Sequence, residues 1–522
     1  MTAIVDFLDR SPAVNNIEAK FVDLSNDIEF SYQEMINISC AMGLVLQEMG
    51  VKPGQVIATY SNNSLAAYCC IFAISRAGAV WLPLNVKNTV DANLRLVEKS
   101  DATYVFVEEK LLSLESGKFQ RSMAEKILPI TPYQALNEEL SFFASKKTVF
   151  ENNIDEQPDR LNKLSLFPTG GTTGDSKLCE WSELTWQTMV TTQSQLMPVK
   201  EQAGSYLIIT PMSHASGVAS FAPIYQGCSI LIMENLDVEN VLKTIEVHRV
   251  TQLFLPPTAI YMLLSHPKVK DFDYSSLTYF LYAAAPMSVE KLKEAINVFG
   301  PVMIQSFGQA EAPMYCTCLS VEDHMTALET NNFARLRSCG KPPAGIDVAI
   351  LDGEGMELPK GEAGEISVKG HLTMSRYYEN PEETNAIRVN GWQRTGDIGI
   401  QDEQGYVTIV DRKRDMIISG GFNVFPSEIE QILWGHPSVQ DCAVIGVPDD
   451  KWGEKVTAII ELKQGMVQPL EEEIIQFCKN KLGSVKSPKT VVFTASLPRS
   501  PVGKVLKKEI RKEYWKDSDR NI

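Results

Sequence analysis

Apolar residues at Met35, Ile38, Met42, Val45, Leu46 and Met49 recur at the three-to-four spacing of a helix face, and the run stops at Gly50. Phe30 followed by Ser31-Tyr-Gln-Glu34 supplies a hydrophobic staple and a capping box for its start. The pattern then shortens. Residues 56–60 form an apolar strand, a helical pattern opens at Ser64 and fades near Gly78, and Val80-Trp-Leu82 is strand again. Continuous apolar runs at 206–210, 229–233, 252–255 and 279–283, each followed by a helical stretch, predict parallel strands covered on both faces. Ligands of such sheets gather beyond the carboxyl ends of the strands.

After about residue 340 the texture changes to short strands at 348–351, 364–369 and 406–410, punctuated by Asp352-Gly353 and Gln404-Gly405. Ser427-Glu-Ile-Glu430 reads as a second capping box opening a helix; strands at 443–447 and 456–460 follow, and a further helix lies between Pro469 and Leu482. The fold class is α/β. A large N-terminal domain of stacked α/β sheets (1–413, its β-rich subdomain at about 340–413) precedes a small α+β domain (414–522).

A length of 522 residues fits two or more domains, and 44% hydrophobic with 22% charged residues is ordinary for a globular chain. The formal charge of −16 argues against nonspecific nucleic-acid or anionic-membrane binding, which needs clustered Lys and Arg. A site for a polyanion must therefore be built locally. No apolar run approaches a membrane span, and the first residues lack a secretory signal. The ten cysteines show no CxxC spacing and read as reduced thiols, which places the chain in the cytoplasm.

The densest chemistry lies in Leu166-Phe-Pro-Thr-Gly-Gly-Thr-Thr-Gly-Asp-Ser-Lys177. Glycines let backbone N–H groups converge on an anion, Thr169, Thr172 and Thr173 add hydroxyl donors, and Lys177 adds charge. The spacing is not that of a Walker A loop, which needs Lys directly after the second of two glycines five apart. A flexible surface loop is the plain alternative.

This segment resembles the phosphate loop of the adenylate-forming superfamily, which includes acyl- and aryl-CoA synthetases, luciferase and peptide-synthetase adenylation domains; Ser176 stands where the family has Pro. Further resemblances follow in the family's order. They are Gln305-Ser-Phe-Gly-Gln-Ala-Glu311, Arg394-Thr-Gly-Asp397, the block from Asp411 to Glu430, and Pro498-Arg-Ser-Pro-Val-Gly-Lys504. Ala77-Gly-Ala-Val-Trp-Leu-Pro-Leu-Asn85 extends the likeness over nearly the whole chain.

The resemblance implies an ATP-dependent ligase that forms an acyl-adenylate and passes the acyl group to coenzyme A, with ATP, Mg²⁺ and coenzyme A as its small-molecule partners. Thr169, Gly170, Gly171, Thr172, Thr173, Gly174 and Lys177 would cradle phosphates. Glu311 and Thr172 would hold the metal. Phe307 would face adenine, with Ala284, Ala285 and Pro286 opposite, and Ser306, Gly308, Gln309 and Ala310 would complete the nucleotide wall. Asp397 and Arg412 would reach the ribose. Lys504 would be the adenylation catalyst, while Lys507 and Lys508 read as a solvated basic tail. Arg414 would be the hinge of a mobile C-terminal domain, and Gly420 and Gly421 would border the thiol's path. His214, in Pro211-Met-Ser-His-Ala-Ser-Gly217, falls at the expected acyl-pocket mouth and is either a participant or a structural histidine.

Three departures cluster near the substrate: Ala310 for Thr, Ser306 for Gly, and Ser182 for His. Phe254, Tyr282 and Met314 are candidates for an apolar or aromatic acyl pocket, or for core. Two alternatives to the coenzyme A reading remain: transfer to a carrier protein or an amine, and a degenerate nucleotide binder without turnover.

Overall fold

The computed structural model describes residues 3–16, 18–130, 163–169, 176–199, 204–412, 415–420, 422–449, 451–499 and 505–515. The chain divides into two compact units. The first comprises 1–286, 290–348 and 368–393, the second 287–289, 349–367 and 394–522.

The first unit is built on two sheets. In the seven-stranded sheet Val56–Tyr60 pairs in parallel with Val80–Leu84 and Tyr104–Glu108, and Val80–Leu84 pairs with Lys163–Pro168. The direction then reverses: Leu178–Ser182 returns antiparallel to Lys163–Pro168, and Arg376–Tyr377 closes that edge. The eight-stranded sheet carries Ser205–Ile208, Ser229–Ile232, Gln252–Leu255, Tyr279–Tyr282 and Met303–Gln309 in parallel, and Ala312–Leu319 folds back antiparallel on the last. The continuous apolar runs of the sequence are these strands. Their residues are buried on both faces because helices flank them.

The predicted first helix is Tyr32–Glu48, and its Ser31/Glu34 capping box forms in both directions. Ser64 caps Leu65–Arg76. The core of this unit includes Trp81, Trp186 and Phe221, with each indole N–H of the two tryptophans satisfied by a buried hydroxyl: Thr59 Oγ1 and Ser165 Oγ, both at 2.9 Å.

The second unit holds a hairpin of long strands, Val439–Asp449 and Gly453–Leu462, with Thr490–Thr494 added in parallel. Pro426–Trp434, Glu471–Leu482 and Lys507–Tyr514 are its helices. The second capping box does not form. Phe425 is the N-cap without a side-chain bond, Pro426 takes the first helical position, and Ser427 instead donates its hydroxyl to the Val410 carbonyl. Proline, preset for the first turn, starts this helix one residue before the serine. The strand Trp392–Gln401, which carries the Thr-Gly-Asp motif, lacks regular apolar alternation and escaped the sequence pattern. Among the described residues no helix is long and apolar enough to cross a membrane.

Candidate active site

The stem of the phosphate-type loop is a β-hairpin. Pro168 pairs with Leu178, Thr169 N donates to Lys177 O at 2.8 Å, and Lys177 N donates back to Thr169 Oγ1 at 3.1 Å. Thr169 Oγ1 is an acceptor in this closure, which leaves its O–H as a donor. Gly170, Gly171, Thr172, Thr173 and Gly174 lie outside the described residues. A hairpin stem, in place of the strand-to-helix turn of a P-loop, agrees with the missing Walker spacing.

Phe167 and Trp181 stack across this hairpin, ring centroids 3.8 Å apart, and the Trp181 indole N–H donates to the Ala310 carbonyl at 2.7 Å. One tryptophan thus joins the hairpin to the turn that presents Glu311. That turn is tight. Gly308 could not carry a side chain, because a Cβ would lie 2.4 Å from Met314 N, and Met314 itself adopts φ +64°.

Glu311 is bound from three sides. Its backbone carbonyl accepts from Met374 N at 2.8 Å and from Gln393 Nε2 at 2.6 Å, and its Oε1 accepts from the Tyr377 hydroxyl at 2.6 Å. Tyr377 also lies under Lys177, whose Nζ is 4.6 Å from the ring centroid and 2.5 Å from Glu383 Oε2. Burial, then the Glu311 carboxylate, pushes the Tyr377 phenol up, so it stays a donor. Lys177, Tyr377 and Glu311 form one cluster: a cation and a carboxylate held apart by a phenol. Among the described residues no group of three or more His, Cys, Asp or Glu could by itself hold a metal ion. A single carboxylate is nonetheless the donor set that Mg²⁺ takes when substrate phosphates and water complete its shell.

The other expected residues of this unit sit at carboxyl ends of the eight-stranded sheet. The register Tyr282↔Gln305 brings Ala284–Pro286 and Phe307 to the same edge of adjacent strands. Ala284 adopts φ +73°, a conformation that favours glycine. His214 follows Ser205–Ile208 and precedes the helix Ala215–Ala219; burial holds its imidazole neutral, and Ser213 Oγ lies 3.3 Å from its Nδ1. Ser306 is buried, and its hydroxyl has no hydrogen-bond partner among the described residues.

In the second unit Asp397 and Arg412 are cross-strand partners, with Arg412 Nε 3.7 Å from Asp397 Oδ1. Gly420 adopts φ +58° and packs so closely on Trp452 that a Cβ would lie 2.8 Å from its ring. Arg414, Gly421 and Lys504 lie outside the described residues.

A family model described as AMP-binding enzyme matches residues 8–378, and one described as AMP-binding enzyme C-terminal domain matches 428–504. The chain belongs to the AMP-binding enzyme family. It is 37% identical over 435 residues to the medium/long-chain-fatty-acid–CoA ligase FadD8 of Mycobacterium tuberculosis, covering 81% of this chain and 73% of that one. It is 30% identical over 496 residues to a feruloyl-CoA synthase of Amycolatopsis, covering 93% and 94%. Among solved structures, ATP-bound MatB from Rhodopseudomonas palustris superposes with a TM-score of 0.85 at 26% identity over the full length of both chains. That likeness carries the expected architecture of a large N-terminal and a small C-terminal domain.

Several details of this AMP-binding enzyme were not legible in its motifs. Ser182, the departure from His, is the N-cap of Glu183–Leu196, accepting from Thr185 N. Tyr377 and Trp181 lie outside the quoted family patterns, yet they place Glu311 and the loop stem. The acyl-pocket candidates divide: Phe254 and Met314 belong to the main core, whereas Tyr282 faces the other side of its sheet and bonds His324 Nε2 at 2.9 Å. Lys507, read as solvated, forms a 2.8 Å ion pair with buried Glu430, because the strand hairpin folds that helix onto the sheet.

Proposed function

We propose that this AMP-binding enzyme is an ATP-dependent acid–thiol ligase in which a carboxylate oxygen attacks the α-phosphorus of ATP, pyrophosphate leaves, and the thiol of coenzyme A then displaces AMP from the acyl-adenylate. The observation that carries the reading is the Lys177–Tyr377–Glu311 cluster at the closed end of the Gly/Thr hairpin. Attack of one anion on another requires cations and donors aimed at the reacting phosphate. Lys177, Thr172 and the loop N–H groups would bind the outer phosphates, exchanging Glu383 for phosphate oxygens. Glu311, oriented by Tyr377, and Thr172 would hold Mg²⁺, which offsets phosphate charge when bound. Phe307 and Ala284–Pro286 would enclose adenine, and Asp397 with Arg412 the ribose.

Lys504 is the adenylation catalyst in this reading, and Arg414 the hinge that turns the tail domain between half-reactions. Gly420 and Gly421 would let the pantetheine arm pass close to backbone, and neutral His214 would border the acyl group. Relatives named for fatty acids and for ferulate support an apolar or aromatic acid. The ten cysteines, none of them in a disulfide among the described residues, fit a reducing compartment, the cytoplasm. A second reading is favoured by a relative 29% identical over 500 residues, a fatty acid–[acyl-carrier-protein] ligase of Streptomyces coeruleorubidus: transfer to a carrier protein.

The test is the purified enzyme with ATP, Mg²⁺ and a panel of aliphatic and aryl acids, offered coenzyme A, a carrier protein or an amine. Acid-dependent pyrophosphate and an acyl-CoA product are expected. Adenylate that persists with coenzyme A but is consumed by carrier or amine would overturn the acceptor, and no pyrophosphate with any acid would overturn catalysis. Lys504→Ala should abolish pyrophosphate release.

A further inference from the structure

Large polar side chains in the main core of the first unit find partners. Trp81 and Trp186 donate to hydroxyls, the Tyr32 hydroxyl donates to Cys228 O at 2.6 Å, the Tyr206 hydroxyl donates to Ser216 O at 3.1 Å, and Tyr68 bonds Ser220 Oγ. Three hydroxyls do not. Ser216 Oγ, Ser306 Oγ and the Tyr315 hydroxyl are buried and have no hydrogen-bond partner among the described residues. A buried hydroxyl left unpaired is costly, so a group of them points to an occupant that these residues do not themselves supply.

The three belong to one neighbourhood. Tyr282 and Gln305 are register partners whose side chains bond each other at 3.1 Å on one face of the eight-stranded sheet. Alternation turns Ser306 to the opposite face, the one that carries Phe254, Leu281 and Ile304, and its cross-strand partner Cys318 joins the same core. Tyr315 enters that core because Met314, at φ +64°, interrupts the alternation of Ala312–Leu319 and leaves Met314, Tyr315 and Cys316 in one cluster. Burial, then Cys318 and Tyr206, pushes the Tyr315 phenol up, so it stays a protonated donor. Cys318 thus borders both Ser306 and Tyr315, while Tyr206 borders Tyr315 and holds the carbonyl of Ser216, two residues after His214.

We propose that Tyr315 determines which acid is accepted, by donating a hydrogen bond to an oxygen carried on the acid's apolar body: a hydroxyl, ether or keto oxygen separate from the carboxylate. Ser216 and Ser306 complete the same polar patch. The inference rests on the reading of the chain as an acid-activating enzyme whose acyl group lies beside His214 and Ser306. Its physical basis is an asymmetry. An apolar pocket tolerates an added hydroxyl, whereas buried hydrogen-bonding groups reject the acid that leaves them unpaired.

The experiment offers matched pairs of aryl and aliphatic acids that differ only in one oxygen, a hydroxyl, methoxy or keto group against hydrogen or methylene. Acid-dependent pyrophosphate release gives kcat/KM for each member, in wild type, Tyr315→Phe and Ser306→Ala, with thermal unfolding alongside. Wild type is expected to favour the oxygen-bearing member of at least one pair by roughly a hundredfold. Tyr315→Phe deletes only the hydroxyl and should remove most of that preference, with kcat/KM for the deoxy member changing by less than about threefold and KM for ATP by less than about twofold. Ser306→Ala should lower the same preference several-fold. Equal kcat/KM within every pair in wild type, a preference unchanged in Tyr315→Phe, or an equal loss on both members in that variant would overturn the proposal. Should Tyr315→Phe not fold, Ser306→Ala carries the comparison, and an unchanged preference there overturns it. Pyrophosphate release without discrimination removes only the role of Tyr315, whereas no pyrophosphate with any acid sinks the acid-activating reading and the inference with it.

Discussion

Glu311 illustrates how much of a site residue's character comes from a neighbour outside its motif. The Tyr377 hydroxyl donates to it at 2.6 Å, and a hydrogen bond to a charged group is worth about 1.5–3 kcal/mol. Tyr377→Phe is expected to slow adenylation by roughly tenfold, most visibly at limiting Mg²⁺, in a pyrophosphate-release assay. Ala284 makes a complementary case, since its left-handed φ of +73° costs an L-residue about 1–2 kcal/mol, part of which glycine returns as unfolded-chain entropy. Ala284→Gly should raise stability by up to about 1 kcal/mol in chemical denaturation. The motif order made Glu311 legible. Nothing in the order marked Tyr377, because its partner lies 66 residues away in sequence.

At the scale of elements, the hairpin Lys163–Pro168/Leu178–Ser182 and the turn before Ala312–Leu319 are coupled by Trp181. Trp181→Phe keeps the Phe167 stack but removes the bond to Ala310 O, and should cost about 1 kcal/mol together with a several-fold rise in KM for ATP. The helix Val321–Glu329 carries a pH-dependent element. His324 Nδ1 lies 2.7 Å from Ser320 O and Nε2 lies 2.9 Å from the Tyr282 hydroxyl, and burial lowers its pKa to about 4. A neutral ring donating from Nδ1 to the carbonyl accepts at Nε2 from Tyr282, whose hydroxyl also lies 3.1 Å from Gln305 Oε1, and it is burial that favours this neutral form. Since the folded value lies below the unfolded value of about 6.5, stability is full above pH 6.5 and is lost as pH falls towards 4, by roughly 2 kcal/mol at pH 5. His324→Gln should flatten the decline of the unfolding midpoint between pH 7.5 and 5.

For the whole molecule, the expected hinge at Arg414 gives a prediction that separates the two half-reactions. Arg414→Pro restricts the backbone at that position, and adenylation should persist while thioester formation falls by on the order of tenfold or more. Pyrophosphate release and acyl-CoA formation, measured on the same preparation, decide it. Local pattern was enough for the strands near 56–60, 80–84, 205–208, 229–232, 252–255 and 279–282, because their apolar runs act over a few residues, whereas Tyr104–Glu108, Lys163–Pro168 and Leu178–Ser182 were not marked by it. Ordered motifs were enough for the family and for Lys177, Glu311, Asp397 and Arg412 as candidates, since each is legible within a handful of neighbours. Only the tertiary structure decided that Trp181 and Tyr377 join the hairpin stem to the turn carrying Glu311, that Phe254 and Tyr282 face opposite sides of a sheet, and that Lys507 is paired while Lys508 is solvated. Those outcomes depend on which distant surfaces the chain brings together, and burial sets the strength of a charge or a hydrogen bond only once that packing exists.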